Sequence, residues 1–423
     1  MLSGCCARSQ QSRTAQSCRF GFTSQTGMSR ITGIRTGSGG DSKLASCGRS
    51  GKFADIVSQQ VFLPKGFVMS ILSSSSSVVK AVIVHAPHDL RVEDITLPAM
   101  GAHDVEVRIE RGGICGSDLH YYHDGGFGTV RIKEPMVLGH EIAGTVARVG
   151  ASVGRVRVGQ RVAVNPGLAC GTCRYCQQGL QAHCLDMRFF GSAMRFPHVQ
   201  GGFREKLVCH EVQAVPVRDG LGAEVAVFAE PLAVCLHAIK RAGPLAGAKV
   251  LVTGCGPIGI LTILCARHAG ASQIVVTDIA DRTLEIAKRM GADIGLNTGA
   301  DATALEAYKA DKGTFDVGFE CSGHPKAVAD MISTLRPRGR MIQVGIGGAD
   351  MPVPMNAIVA KEIDLGGTFR FYEEFQWAVD LLGSGRIDVG PLLSATLSFA
   401  NAKEAFDLAS DKSKAMKVQL AFD

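Results

Sequence analysis

The stretch Lys249–Ile260, KVLVTGCGPIGI, decides the fold of a large part of this 423-residue chain. An apolar run of strand length, VLVT, opens into a GxGxxG pattern, and the following ILTILCARHAG is apolar over the length of a helix. In this setting the first glycine makes the turn, the second lets the backbone approach a pyrophosphate, and the third allows helix and strand to pack. The stretch therefore predicts a dinucleotide-binding βαβ unit whose cofactor-binding residues are Gly254, Gly256, Pro257, Ile258 and Gly259.

The sequence after this turn indicates which dinucleotide is bound. The next strand-like run, QIVVTDIA, carries Asp278, 19 residues beyond Gly259. A carboxylate at about this distance binds the adenosine ribose hydroxyls and repels a 2′-phosphate, which favours NAD over NADP. Arg282 lies close by and keeps NADP open as an alternative.

Strand-like and helix-like runs continue to alternate further along the chain. The runs DVGFECSG and GRMIQVGIGG flank a helical pattern through AVADMISTL. Such alternation is typical of a doubly wound parallel sheet with helices on both faces. We therefore predict an α/β fold with a Rossmann domain in this part of the chain.

Four cysteines fall within Ala169–Cys184, ACGTCRYCQQGLQAHC. Cys170, Cys173 and Cys176 follow CxxCxxC spacing, and Cys184 comes after seven more residues. Disulfides, a nucleic-acid-reading finger and a metal clamp are the three explanations to weigh. In a reducing compartment, thiols at this spacing bind metal far more often than they pair. Four thiolates without a carboxylate describe a closed tetrahedral site, so we predict a structural zinc ion.

The distribution of charge argues against a nucleic-acid partner. The chain has a formal charge of +6, but nine Lys or Arg residues against two Asp give Met1–Val78 a charge of +7. The remaining residues therefore carry −1, which leaves no basic face for phosphates. The sequence after Cys184, LDMRFFGSAMRFPHVQGG, is aromatic and mixed, unlike a basic recognition helix. We expect no nucleic-acid partner.

The first 78 residues differ from the rest in composition. They are rich in Ser, Gly and Arg and end near the SSSSS run at Ser73–Ser77, so we predict disorder. The segment is similar to an organelle transit peptide, and the alternative is that translation begins near Met69. No apolar run reaches the ~20 residues that cross a bilayer, and no secretory signal is present. We expect a soluble cytoplasmic protein with no membrane partner, and organelle import as the alternative.

A second group of metal-ligating residue types lies upstream of the four cysteines. The stretch ERGGICGSDLHYYHDG contains Cys115, Ser117 and His120, and EPMVLGHEIAGTVARVG contains His140 and Glu141. One thiol, one imidazole and one carboxylate make a mixed site of the catalytic type, in which three protein ligands leave a position open.

Glu230, in FAEPLAVCLHAIK, is a carboxylate in an apolar run at the predicted start of a helix. A buried carboxylate needs a metal ion or a partner charge. The alternative is a helix N-terminal glutamate that interacts only with the helix dipole.

Together these motifs resemble those of the zinc-dependent medium-chain dehydrogenases. The resemblance rests on the stretch from Cys115 to His120, the GHE triplet, the four cysteines, Glu230 and the glycine-rich turn, and it covers all but the N-terminal segment. Within the family the chain is most similar to the polyol dehydrogenase branch. The stretches YYHDGGFGTVRIKEP and HCLDMRFFGSAMRFPHVQGGF are similar to its L-idonate 5-dehydrogenases.

The resemblance implies a division of the chain. A GroES-like β-barrel catalytic domain would hold both zinc sites and be interrupted by the doubly wound Rossmann domain, with the active site in the cleft between them. We accordingly expect an extension over residues 1–78, the GroES-like domain over residues 79–226 and 366–423, and the Rossmann domain over residues 227–365. The expected assembly is a homodimer or homotetramer.

The resemblance also implies roles for individual residues. Two zinc ions per chain and NAD are the expected cofactors, and the catalytic zinc would lower the pKa of a secondary hydroxyl while hydride passes to NAD. Ser117 would take the hydroxyl proton and pass it, through the nicotinamide ribose, to His120. The expected ligands of the catalytic zinc are Cys115, His140, Glu141 and Glu230, the last either as a ligand or as a hydrogen-bond partner of bound water. The expected ligands of the structural zinc are Cys170, Cys173, Cys176 and Cys184. The resemblance adds Tyr121, Glu230 and Arg370 as substrate-binding residues and Arg282, Val344 and Phe369 as cofactor-binding residues.

The expected substrate is a sugar acid, with L-idonate oxidised to 5-keto-D-gluconate. Phe371 stands where sorbitol dehydrogenases have a tyrosine, which weakens the case for a neutral polyol. Arg195 and Arg370 are the candidates for binding the carboxylate. Sorbitol or xylitol oxidation is the alternative. A non-catalytic NADH-binding protein is the alternative from another class, although such a protein has no reason to keep every ligand and the proton relay.

Overall fold

The computed structural model describes residues 77–347 and 350–422. The predicted N-terminal disorder, the transit-peptide alternative and the alternative start at Met69 concern a segment that lies, except for its last two residues, outside the described residues. The strands are β1 (Val78–Ala86), β2 (Asp89–Thr96), β3 (Asp104–Gly113), β4 (Gly126–Phe127), β5 (Val130–Arg131), β6 (Met136–Val137), β7 (Glu141–Val149), β8 (Arg161–Val164), β9 (Gly167–Leu168), β10 (Arg188–Phe189), β11 (Lys206–His210), β12 (Ala214–Pro216), β13 (Lys249–Thr253), β14 (Gln273–Asp278), β15 (Ile294–Asn297), β16 (Phe315–Glu320), β17 (Leu335–Gln343), β18 (Asp364–Gly367), β19 (Leu393–Ser398) and β20 (Lys417–Ala421).

The helices are short and lie between the strands. The α-helices are α1 (Gly116–Asp124), α2 (Arg174–Gln177), α3 (Ala223–Ala226), α4 (Ala229–Ala242), α5 (Pro257–His268), α6 (Asp281–Arg289), α7 (Pro325–Thr334), α8 (Met355–Lys361), α9 (Glu374–Gly383) and α10 (Ala402–Ser410). The 3₁₀ turns are Gln181–His183, Glu306–Lys312, Gly390–Leu392 and Phe399–Asn401. Within the described ranges, no helix has both the length and the apolar character needed to span a bilayer.

The glycine-rich turn belongs to a six-stranded parallel sheet. Its strand order is β15-β14-β13-β16-β17-β18, and every neighbouring pair is parallel. Numbered along the chain, this is the 3-2-1-4-5-6 order of a doubly wound dinucleotide-binding domain, whose ligands bind at the carboxyl ends of the strands. Four of the five residues of β13 are buried, as expected of a strand covered on both faces. The predicted fold class is confirmed for this half.

The other half is built mainly from antiparallel strands. Its principal sheet has the order β12-β8-β7-β3-β20-β19, β11 also pairs with β3, and β2-β1-β6 form a smaller sheet. Only β19 and β20 run parallel among the strand pairs described in these sheets. Val105, Val107 and Ile109 of β3 are all fully buried, because alternate residues of a strand share one face. This is the half in which the sequence predicts the GroES-like domain.

The chain passes between the two halves twice. The first crossing separates α3, which contacts β7 and β8, from α4, which contacts α5 and β17, and so lies near the predicted boundary at residue 226. β18 extends to Gly367, and α9 then packs on α4 before β19 returns to the antiparallel sheet. α9 also contacts α3 of the antiparallel half, so it packs on both halves. The predicted domain bounds stay predictions.

One apolar core extends across both halves. Ala143 of β7 and Ala163 of β8 belong to the same buried cluster as Leu232 of α4, Val252 of β13 and Phe375 of α9. The two halves are therefore packed against each other, which can hold side chains at their junction in fixed positions.

Candidate active site

Cys115, His140 and Glu141 come together where α1 and β7 begin. Cys115 is the N-cap residue of α1, and β7 pairs with β3 so that Glu141 lies opposite Gly113. One potential ligand atom from each of the three residues lies within 4.8 Å of the other two. A side chain at position 113 is excluded, because a Cβ atom there would be 2.2 Å from Oε2 of Glu141. Two motifs that are separate in sequence thus form one cluster, called here the donor cluster.

Asp118 supports the donor cluster and was missed by the sequence interpretation. Its carboxylate is fully buried and accepts the backbone N–H groups of Cys115 at 3.0 Å and Gly139 at 3.3 Å. Its Oδ1 atom lies 3.6 Å from Nδ1 of His140. A carboxylate at the second ring nitrogen of a metal-binding histidine fixes the orientation of the ring. The available signal was an acidic residue three positions after the N-cap, as in a capping box.

Lys417, on β20, was also missed. Its buried ammonium group lies 2.6 Å from Oε1 and 2.5 Å from Oε2 of Glu141, and it donates to the carbonyl of Ile114 at 3.1 Å. Burial lowers the pKa of Lys417, but the charges of Glu141 and Cys115 outweigh this and raise it. A buried charge is tolerated when it is paired. Glu141 is therefore close both to the Lys417 ammonium group and to the other two members of the donor cluster, Cys115 and His140.

Glu230 reaches the same region from the first turn of α4. It is buried, and burial raises the pKa of its carboxyl to about 7, while the nearby His140 opposes the rise. Within the described residues, it is not part of the group whose ligand atoms all lie within 4.8 Å of one another. This placement favours the second of its two predicted roles, a hydrogen-bond partner, over that of a fourth ligand.

Two predicted proton carriers lie on α1 beside the donor cluster. Oγ of Ser117 is 3.5 Å from Nε2 of His140. His120 is exposed one turn further on, with Nδ1 3.1 Å from Oδ2 of Asp124. No direct hydrogen bond joins Ser117 to His120 among the described residues. The predicted relay has the cofactor ribose between the two side chains and needs no such bond.

Tyr121 is a buried residue of the same helix. Its hydroxyl oxygen accepts the backbone N–H of Ala193 at 3.0 Å, and burial raises the pKa of the phenol. Hydrogen bonds with the Ala193 backbone and the Ser192 side chain oppose that rise. Tyr121 and Arg370 each influence the pKa of the other, which places the two predicted substrate-binding groups close together.

Arg370 is held by aromatic rings. Its guanidinium carbon lies 4.1 Å from the ring centroid of Phe189 and 5.0 Å from that of Phe369, and Nη2 is 3.1 Å from Sδ of Met194. Burial lowers the pKa of Arg370 to about 10, so the side chain is still cationic at neutral pH. Its backbone has a left-handed φ of +54°, which costs a non-glycine residue about 1–2 kcal/mol. Residues in such conformations persist where the surroundings dictate them, often at functional sites.

A cavity of about 400 Å³ opens beside Arg370. Phe369, Arg370 and Arg195 line it together with residues of the four-cysteine loop. Arg195 already forms an ion pair with Asp186. No ion pair with a carboxylate is formed by Arg370 in the part of the chain that the structure describes. Of the two arginines predicted to bind a substrate carboxylate, Arg195 is therefore already paired with a carboxylate, whereas Arg370 has no such partner among the described residues.

The four predicted thiols gather around α2. The sulfur atoms of Cys170, Cys173, Cys176 and Cys184 all lie within 4.8 Å of one another, and all four cysteines are free of disulfides. Sγ of Cys184 accepts the backbone N–H groups of Cys170 at 3.2 Å and Asp186 at 3.3 Å. Backbone N–H groups of Thr172 and Cys173 lower the pKa of the Cys170 thiol to about 6. Such bonds stabilise thiolate, the form that binds metal.

The glycine-rich turn has the shape that its sequence predicts. Gly254 has a φ of +84°, and a Cβ atom there would meet Ser322 at 2.9 Å. A Cβ atom at Gly259 would lie 1.9 Å from the carbonyl oxygen of Gly254, so helix and turn pack directly. Gly256 is the N-cap of α5, Pro257 begins this helix, and the space beside Gly256 is open. An open helix N-terminus is where a pyrophosphate binds in this fold.

The remaining predicted cofactor contacts lie at the carboxyl ends of the parallel strands. Oδ2 of Asp278 accepts the N–H of Cys255 at 2.7 Å, beside the turn. Arg282 instead donates to the carbonyls of Lys412 and Lys414, at 3.4 Å and 2.8 Å. Of the two other contacts, Val344 directly follows β17 and Phe369 lies two residues beyond β18.

The residues present fit the groups predicted for them. One potential ligand atom of each residue in the donor cluster lies within 4.8 Å of the other two, and the thiol of Cys115 is not in a disulfide. One nitrogen, one sulfur and one oxygen donor suit a catalytic zinc ion, and four thiols suit a structural one. The open turn at Gly256 suits a dinucleotide.

Comparisons with known proteins agree with these observations. Residues 101–219 match the model of the alcohol dehydrogenase GroES-like domain, and residues 257–384 match that of the zinc-binding dehydrogenase. The chain is 48% identical over 316 residues to the L-idonate 5-dehydrogenase (NAD(P)(+)) of Escherichia coli strain K12, covering 75% of this chain and 91% of that protein. It is 35% identical over 336 residues to the sorbitol dehydrogenase of Arabidopsis thaliana, covering 78% and 91%.

A solved structure gives the same result. The crystal structure of L-idonate 5-dehydrogenase from Escherichia coli K-12 matches with a TM-score of 0.79 and 44% identity, over 82% of this chain and 99% of that one. The family resemblance and the two-part fold class predicted from the motifs are thereby confirmed. The chain belongs to the family of zinc-binding alcohol dehydrogenases with a GroES-like domain.

Proposed function

We propose that the chain oxidises a secondary alcohol of a sugar acid, converting L-idonate to 5-keto-D-gluconate with NAD. The observation that carries this proposal is the position of Arg370, a partly buried cation at the cavity that forms no ion pair with a carboxylate among the described residues. A substrate carboxylate supplies such a partner, and a guanidinium can bind it through two parallel hydrogen bonds. The similarity to an L-idonate 5-dehydrogenase supports the same substrate class.

The donor cluster would hold the catalytic zinc. When bound, zinc supplies a Lewis acid that lowers the pKa of a hydroxyl, and NAD supplies the acceptor of a hydride. Cys115, His140 and Glu141 are the proposed ligands. Asp118 keeps the imidazole in one orientation, and Lys417 compensates the charge of Glu141.

The side chains around the cavity would orient the substrate. Arg370 binds the carboxylate, while the hydroxyl of Tyr121 and the carboxylate of Glu230 hydrogen-bond to the sugar hydroxyls. Fixing both ends of the substrate places the reacting carbon for hydride transfer. Ser117 accepts the hydroxyl proton, and His120 releases it to water at the surface.

The nucleotide half supports NAD over NADP. Asp278 presents a carboxylate where the adenosine ribose binds in this fold. Arg282, the residue that would favour a 2′-phosphate, directs its guanidinium to the carbonyls of Lys412 and Lys414. The same half contributes the glycine-rich turn for the pyrophosphate.

A neutral polyol is the second candidate substrate. The observation that favours it is the position of Tyr121 near Arg370 and of Glu230 near His140, since both groups bind hydroxyls and neither requires a charged substrate. The similarity to a sorbitol dehydrogenase supports it as well. A non-catalytic NADH-binding protein is less well supported, because such a protein gains nothing from the buried Lys417–Glu141 pair.

A substrate screen tests the proposal. Purified protein is given NAD and either L-idonate, gluconate, sorbitol, xylitol or threonine, and NADH absorbance is followed while zinc is counted by elemental analysis. We expect the highest kcat/KM with L-idonate and about two zinc ions per chain. A higher kcat/KM for sorbitol would reject the sugar acid, and an Arg370→Ala variant with unchanged activity on L-idonate would reject the assigned role of the arginine.

We also propose a homodimer or homotetramer in the cytoplasm, with organelle import as the alternative. β18 is the edge strand of the parallel sheet, and Met355, Val359 and Leu365 on or beside it are exposed apolar side chains. An edge strand flanked by apolar side chains is a surface that a second copy can cover. Light scattering that gives the mass of one chain would reject the assembly, and cell fractionation tests the compartment.

A further inference from the structure

A row of planar groups connects the four-cysteine loop with the donor cluster. The ring of His183 stacks on that of Phe369, with centroids 6.1 Å apart and planes inclined by 26°. The guanidinium of Arg370 lies between the rings of Phe369 and Phe189, at 5.0 Å and 4.1 Å. The ring of Phe189 is in turn 5.8 Å from that of His140. We call these five groups the planar row.

The members of the planar row come from different parts of the fold. His183 ends a 3₁₀ turn and directly precedes Cys184, so its position depends on the folding of the four-cysteine loop. Phe189 lies in β10, and Phe369 follows β18 of the parallel half. His183, Phe189, Phe369 and Arg370 all line the cavity. The row therefore crosses the cleft in which the substrate would bind.

Arg370 is held in place mainly by contacts with aromatic rings. Its guanidinium also contacts Sδ of Met194 and lies near Glu230 and Tyr121, but among the described residues no carboxylate forms an ion pair with it. Its backbone adopts a left-handed conformation that a residue with a side chain does not favour on its own. Phe369 is 37% exposed, so without the ring of His183 on its outer face it has room to turn away from the guanidinium.

We propose that His183 is a positioning residue for Arg370 and that, through it, the four-cysteine loop sets the selectivity for acidic over neutral substrates. His183 packs on Phe369, Phe369 packs on the guanidinium, and the guanidinium meets the substrate carboxylate. This inference rests on the proposed function in one respect, that Arg370 binds a carboxylate. It gives the loop a role in selectivity in addition to the structural role predicted for it.

Two variants and a control test the inference. His183→Ala removes the ring, His183→Phe keeps a ring, and Gln178→Ala changes an exposed residue of the same loop that does not line the cavity. For each, kcat and KM are measured with L-idonate and with sorbitol, zinc is counted, and a crystal structure is determined. We expect His183→Ala to lower the ratio of kcat/KM for L-idonate to that for sorbitol by about 5- to 10-fold, mainly through KM for L-idonate. His183→Phe and Gln178→Ala should keep the ratio within about twofold, and all should retain two zinc ions.

The outcomes separate this inference from the proposed function. An unchanged ratio in His183→Ala, a guanidinium that keeps its place in the crystal structure of that variant, or the loss of a zinc ion from it would overturn the inference. An Arg370→Ala variant whose ratio is unchanged would instead reject the carboxylate assignment. In that event the position of the guanidinium in the His183→Ala crystal structure alone decides whether His183 positions it.

Discussion

The two clusters of metal-ligating residues differ in how they are built. The four-cysteine loop takes all its thiols from one short stretch, and backbone N–H groups of the same stretch surround them. The donor cluster takes its residues from α1 and β7 and adds the buried charges of Asp118 and Lys417. A closed site can therefore be specified locally, whereas an open site needs charges that only the tertiary structure brings together.

The strongest test of this difference is Cys115→Ser. We expect kcat to fall by about 10³-fold or more, because a proposed ligand of the catalytic metal is lost, while NAD binding stays unchanged. Turnover is followed by NADH absorbance, and NAD affinity by calorimetry. Cys209→Ala, which alters a buried thiol outside both clusters, serves as the control and should remain active. Normal turnover in Cys115→Ser would remove this thiol from the mechanism.

Asp118→Asn tests whether the negative charge of the buried Asp118 side chain matters in addition to its shape. An amide keeps the shape but loses the carboxylate next to Nδ1 of His140, so we expect metal affinity and kcat/KM to fall by about 10- to 100-fold. The measurements are zinc release to a chelator and steady-state kinetics. If both values match those of the parent protein, the orientation of His140 is set by packing alone.

Asp278→Ser changes the nucleotide half and should leave both metal clusters as they are. We expect the ratio of kcat/KM for NAD to that for NADP to fall by about 10- to 100-fold, because the charged acceptor of the ribose hydroxyls is lost and a 2′-phosphate is no longer repelled. Zinc content should be unaltered. A ratio that does not move would mean that this carboxylate serves only its hydrogen bonds with the backbone N–H groups of Cys255, Ile279 and Ala280.

Cys173→Ser breaks the closed site while sparing the donor cluster. We expect one zinc ion to be lost per chain and Tm to drop by roughly 5–10 °C, because the loop loses its cross-link. Turnover of sorbitol should persist, in contrast with Cys115→Ser. Elemental analysis, thermal unfolding and NADH absorbance give the three readings. Abolished turnover of every substrate, with two zinc ions retained, would contradict the division into a structural and a catalytic cluster.

Glu374→Gln provides the comparison with a buried charge outside both clusters. Glu374 joins α9 to α4 through His237 at 3.0 Å and Lys240 at 3.1 Å, with Glu373 also paired to Lys240. Burial opposes ionisation, but hydrogen bonds from His237 and the Tyr372 N–H lower the pKa of Glu374 to about 2, from an ordinary 4.5.

A carboxyl whose pKa is depressed on folding stabilises the protein above its unfolded pKa, and this contribution is lost as the pH falls through the folded value. At neutral pH we expect Tm of Glu374→Gln to be about 2–4 °C lower than that of the parent protein. The difference should shrink between about pH 4.5 and pH 2, with kcat and zinc content unchanged. A Tm difference that does not change with pH would mean that the substitution acts through the shape of the side chain and not through its charge.

Local patterns allowed much of the fold and part of the candidate site to be predicted. The turn at Gly254 and the alternation of strands and helices in the parallel half follow from short-range signals, because glycine spacing and the lengths of apolar runs are properties of neighbouring residues. Lys417 was missed because it reads as one cation in the strand KVQLA, and only sheet pairing brings it to Glu141. The second domain bound stays a prediction, because α9 contacts both α4 and α3 and so packs on both halves.

The apolar core that the two halves share makes them one thermodynamic unit. Ala143 and Ala163 pack in the same cluster as residues of α4 and α9. Cutting the chain at either crossing would therefore expose a large apolar surface to water. Fragments corresponding to the separate halves should therefore aggregate, and calorimetry of the whole chain should record a single endotherm. The junction of the two halves, where substrate would enter, is therefore continuous with the apolar core of the protein.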